Sequence, residues 1–144
     1  MARTSRRAAA VYLVERTAYE ASDYGETPRY YASGGEEGES HVPVRAFADK
    51  AAAEACRADL EAEARRDLCP ALFAYDLPKN LAAKLKKIGL TPLEFTGAQY
   101  EHADQFRKWW GEQAADMAPQ QRAAVWRLFP KVAFYRVTEA TLEG

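Results

Sequence analysis

The chain has 144 residues, of which 48% are hydrophobic and 28% charged, and its formal net charge is −1. A chain of that length buries roughly 68–70% of its unfolded surface without needing a disulfide or metal staple. The composition excludes a wholly disordered chain, a collagenous repeat, a disulfide scaffold and a polytopic membrane protein, and the balanced charge gives no global pull toward nucleic acid or anionic lipid.

Residues 1–7 read as a flexible basic tail, and residues 8–144 as a single domain. The apolar run Ala8–Val14 follows the pair Arg6-Arg7, but Glu15 and Arg16 end it and no small-residue cleavage site follows, so no signal peptide is expected. Val11, Tyr12, Leu13 and Val14 form the centre of a first strand extending to Tyr19. Ser22, Asp23, Gly25 and Pro28 mark a loop, and Arg29 to Ser33 reads as a second strand. A Gly-rich acidic connection leads to a third strand over His41–Phe47, where Pro43 removes a ladder donor and predicts an edge position. Three strands in succession predict an antiparallel meander.

Asp49 is placed to cap a helix to about Asp67, with Ala52, Cys56, Leu60 and Ala64 recurring every four residues on its apolar side. Lys50, Glu54, Arg57, Glu61 and Arg65 then form the solvent side, Glu61 and Arg65 in favourable i, i+4 order. Cys69-Pro70 stops the helix, because the residue before proline avoids helical angles. A short helix over Lys79–Ile88 turns Leu81, Leu85 and Ile88 to one side, and Gly89 ends it. From about Gly97 a longer helix presents Ala103, Phe106, Trp110 and Ala114, with Gly111 as its weak point. Pro119 opens a further helix carrying Val125, Leu128 and Phe129, and Val132–Leu142 is a last strand.

The order β-β-β-α-α-α-α-β gives an α+β fold, an antiparallel sheet of about four strands with helices packed mainly on one face. The last strand is expected to return and pair with the first, since a lone strand leaves its backbone groups unsatisfied.

Chemistry-bearing motifs are sparse. Cys56 and Cys69 fit neither a CxxC nor a zinc pattern and read as reduced thiols of a cytoplasmic protein. The bias to alanine and arginine points to a GC-rich bacterial genome. His41 and His102 have no ligand at i+4, and Gly34, Gly35 and Gly38 lie among glutamates without a lysine, so neither a metal motif nor a phosphate cradle is formed. His41 with Glu36, Glu37 and Glu39 has the residue types of a weak surface metal site, but a solvated acidic loop accounts better for close ligands on a flexible segment. No cofactor, metal site or catalytic residue is assigned.

Charge asymmetry is the stronger signal. Glu36, Glu37 and Glu39 make an acidic patch, while Lys79, Lys84, Lys86 and Lys87 crowd one short helix. Trp109 and Trp110 point about 100° apart on a helix, which puts Trp110 in the core and Trp109 at the margin as a partner-facing ring. These residues are the expected contacts of a non-enzymatic interaction or accessory protein that binds a protein partner or itself, without a membrane. The alternative is a nucleic-acid binder using Arg3, Arg6, Arg7 and the lysine helix, with Tyr30 and Tyr31 as stacking rings. A third reading is an enzyme whose site is assembled only by tertiary contacts.

Overall fold

The β-branched and aromatic run near the N-terminus lies at the centre of the main sheet. In the computed structural model, which describes residues 9–22, 29–32, 40–74 and 76–142, it forms β1 (Ala9–Thr17). After β2 (Tyr19–Ser22) and β3 (Arg29–Ala32) come β4 (His41–Phe47), α1 (Lys50–Arg65), α2 (Leu81–Lys87), α3 (His102–Gln113), α4 (Pro119–Arg127) and β5 (Tyr135–Leu142). The expected α+β class is present. The described chain divides into two compact units, one within Met1–Tyr19, Ala32–Arg66 and Ala133–Gly144, the other within Glu20–Tyr31 and Asp67–Val132.

In the first unit, β1 lies between β4 and β5, antiparallel to both. The last strand therefore pairs with the first as expected, in an unbroken register from Ala9 opposite Leu142 to Arg16 opposite Tyr135. β4 is an edge strand, as Pro43 requires. Its register with β1 slips between Val14, opposite Arg45, and Glu15, opposite Pro43, leaving Val44 as the extra residue of a bulge.

The expected meander is corrected. Only Ala18 separates β1 from β2, too little for a hairpin loop, so the chain runs on instead of turning back. β2 pairs with β3 in a separate two-stranded sheet, and β4 takes the place beside β1.

α1 packs against all three strands of the larger sheet. Asp49 caps it as expected, its carboxylate accepting the Ala52 N–H at 3.1 Å. The assignment of its faces needs one correction, because Glu61 is buried together with Ala53. The Glu61 carboxylate accepts the backbone N–H groups of Phe134 and Tyr135, and Arg65 Nε donates to it at 2.9 Å. With three charge-assisted bonds, a carboxylate is tolerated where apolar periodicity alone predicts water.

The second unit holds a helical core built from Leu81, Leu85, Phe106, Trp109, Trp110, Val125, Trp126 and Phe129. α2 ends as its sequence predicts. Gly89, at φ +88°, donates to Lys86 O and Leu90 donates to Leu85 O, the two bonds of a Schellman cap. α4 begins at Pro119, and Gln121 Oε1 reaches back to accept the Ala118 N–H at 3.0 Å. A 3-10 turn at Pro70–Leu72 contacts α3.

Candidate functional site

α2 is anchored by Leu81 and Leu85, which are 2% and 0% exposed. Everything else that projects strongly from it is basic or small. Lys84, Lys86 and Lys87 are all exposed, as are Ala83 and the preceding Lys79. At 100° per residue, Lys84 and Lys87 lie about 60° apart and Lys86 lies about 100° beyond Lys87, with Ala83 between the last two. The three ammonium groups thus fan over the whole outward arc of the helix. None of them makes a hydrogen bond or ion pair with another described residue.

The fan is also held in place. The Schellman cap fixes the C-terminal end of the helix, and Gln121 Nε2 donates to Ile88 O at 3.5 Å. The backbone carrying the lysines is therefore preorganised, while their long stems keep rotamer freedom.

The other predicted contacts fare differently. Glu36, Glu37 and Glu39 lie outside the described residues, as do Arg3, Arg6 and Arg7. Trp109 is not at the margin: it is 5% exposed, as is Trp110, and its indole N–H donates to Thr91 O at 3.1 Å. The segment after α2 supplies that acceptor, so the ring is enclosed on the side that helix periodicity leaves open. Phe106 stacks on Trp109 at 5.6 Å, which places both tryptophans in one aromatic core. Trp109 offers no surface to a partner.

Tyr30 is half-buried and stacks on Phe73 at 5.0 Å, while Tyr31 is 49% exposed, so the pair points to opposite faces as adjacent strand residues must. His41 Nδ1 lies 3.3 Å from Thr17 Oγ1, and His102 stacks on Phe95 at 4.9 Å. Among the described residues no three His, Cys, Asp or Glu side chains form a group able to hold a metal. No helix among them is long and apolar enough to cross a membrane.

Two features were missed in the sequence. Tyr100 is the most exposed large hydrophobic side chain among the described residues, at 79%. Arg107 is sunk into the helical unit although its residue type predicts solvent. The Asp104–Arg107 spacing of three residues is a readable sign that the two side chains meet. Their depth depends on what packs above α3. No protein-family model, curated protein or solved structure matches this chain.

Proposed function

We propose that the chain is a non-enzymatic interaction protein that docks an acidic protein surface through the lysine face of α2. The observation that carries this reading is the fan of Lys84, Lys86 and Lys87, exposed and unpaired among the described residues on a helix fixed by Leu81 and Leu85. Three unpaired ammonium groups on one short helix add nothing to the core, and they attract a surface of opposite sign. The net charge of −1 favours a local acidic patch over a long phosphate backbone as the target. The unbridged thiols of Cys56 and Cys69 support a reducing compartment, the cytoplasm, as its place of work.

The test is co-purification with the tagged chain from its native cell, with and without nuclease, against a variant carrying Lys84→Glu, Lys86→Glu and Lys87→Glu. The expected result is a stoichiometric protein that survives nuclease and is captured at least tenfold less by the variant. The variant should still unfold in one cooperative thermal transition, lowered by several degrees because three glutamates replace lysines at the C-terminal end of the helix dipole. Undiminished capture by the variant would remove α2 from the interaction. Capture that disappears with nuclease would assign the lysines to nucleic acid instead.

A further inference from the structure

The side chain of Arg107 is 9% exposed, the depth of a core residue. Its Nη2 donates to Asp104 Oδ1. Its Nε and Nη1 are sealed from solvent and meet no hydrogen-bond partner among the described residues. A guanidinium cannot shed its proton to escape burial, and a buried charge left partly unpaired is among the costliest arrangements in a fold. The Cys69 thiol is close enough to feel this cation. Burial pushes its thiol up to about 12, so it is uncharged at neutral pH and contributes no counter-charge.

We propose that Arg107 is the recognition residue of a site for a small oxyanion, and that Asp104 gates it. Both forks through which a guanidinium holds an oxyanion bidentately include Nη2, end-on with Nη1 or side-on with Nε, and Asp104 occupies Nη2. The Asp104 side chain is 67% exposed, so it joins the buried cation to solvent and is free to swing away. An incoming anion with two acceptor oxygens takes over Nη2 and satisfies one of the two unpartnered donors. Asp104 is in this view an internal competitor for the position that the ligand fills.

The gate fixes the signs of the test. Thermal unfolding is followed in inorganic phosphate, acetate and chloride at equal ionic strength, for the parent, Asp104→Asn and Arg107→Met. Phosphate or acetate is expected to raise Tm above the chloride value in proportion to the logarithm of its concentration once above the dissociation constant, by roughly 5 °C at ten times that constant. The anion concentration that gives a fixed rise in Tm should fall at least tenfold in Asp104→Asn, and the response should vanish in Arg107→Met. A response to acetate assigns the site to carboxylates as well, whereas one to phosphate alone restricts it to tetrahedral oxyanions. Should Arg107→Met not fold, Arg107→Lys keeps a cation without the fork and should weaken binding at least tenfold. The proposal is overturned if neither the parent nor Asp104→Asn responds beyond chloride, or if the Arg107 variants respond as the parent does.

Discussion

Both carboxylate oxygens of Glu61 lie within hydrogen-bond distance of the Phe134 backbone N–H, at 2.9 and 3.0 Å. Oε1 also accepts the Tyr135 N–H at 2.9 Å, so one side chain of α1 closes the backbone at the point where β5 begins. Around that point Thr17 N donates to Phe134 O, and the Tyr19 hydroxyl donates to Ala133 O at 2.8 Å. Glu61→Ala leaves two backbone donors without an acceptor in a buried setting. It should destabilise the chain by about 2–4 kcal/mol. Glu61→Gln keeps one acceptor oxygen and loses the charge shared with Arg65, and should cost about half as much. Urea unfolding distinguishes the cases, and equal stability of Glu61→Ala and the parent would show the latch to be energetically idle.

Two glycines should respond to alanine with opposite signs. Gly89 has φ +88°, and a Cβ there meets nothing closer than Gln121 Nε2 at 3.6 Å, so its cost is conformational and not steric. Gly89→Ala should destabilise by about 1 kcal/mol by straining the cap of α2. Gly111 lies inside α3, and a Cβ added there would meet nothing within 4 Å beyond its own helix backbone. Gly111→Ala should stabilise by about 0.5–1 kcal/mol, through higher helix propensity and a less flexible unfolded chain. Thermal melts of the two variants should fall on either side of the parent.

Local chemistry was readable wherever one residue decides the backbone. Asp49 as a cap, Gly89 as a stop, Pro119 as a first helical residue and Pro43 at an edge all follow from donor counts and allowed dihedrals. Strand partners and burial were less readable, because they depend on segments far apart in the chain. Glu61 resembles any solvent-facing helix glutamate until the N–H groups of residues 134 and 135 arrive. Trp109 looks marginal until Thr91 O closes over it, and Arg107 looks exposed until its surroundings are packed. Of the candidate site, the lysine cluster was visible because its charge is a property of composition, whereas the buried cation was not.

The edge position of β4 has a consequence for self-association. Val42 and Val44 are 43% and 41% exposed there, on a strand whose outer side is unpaired in its sheet. Pro43 withholds one ladder donor and the bulge at Val44 twists the strand, two devices that blunt edge-to-edge pairing. Pro43→Thr restores the donor and raises strand propensity between the two exposed valines. Light scattering should then report a larger average mass than for the parent at equal concentration, with the excess growing with concentration. An unchanged mass would mean that the bulge alone protects this edge.

Cys69 makes stability depend on alkaline pH in a direction that can be worked out. Burial raises its pKa from an ordinary value of 9.0 to about 12, outweighing the Ala71 and Leu72 backbone N–H groups and the Arg107 charge, which act the other way. Between those two values the unfolded chain has released the thiol proton while the folded chain retains it, so the folded state binds more protons. Stability is fully present below about pH 9 and falls as pH rises toward 12, with a slope on the order of 1.4 kcal/mol per pH unit from this group. Cys69→Ala removes this dependence. Urea midpoints measured from pH 8.5 to 10.5 should therefore fall more steeply for the parent than for the variant, whatever the offset between them. In the same window a thiol reagent should modify the half-buried Cys56 of the folded chain well before Cys69, which is 6% exposed and reacts at the rate of unfolding. Parallel midpoint curves would show that Cys69 ionises alike in both states and that its burial carries no linkage to pH.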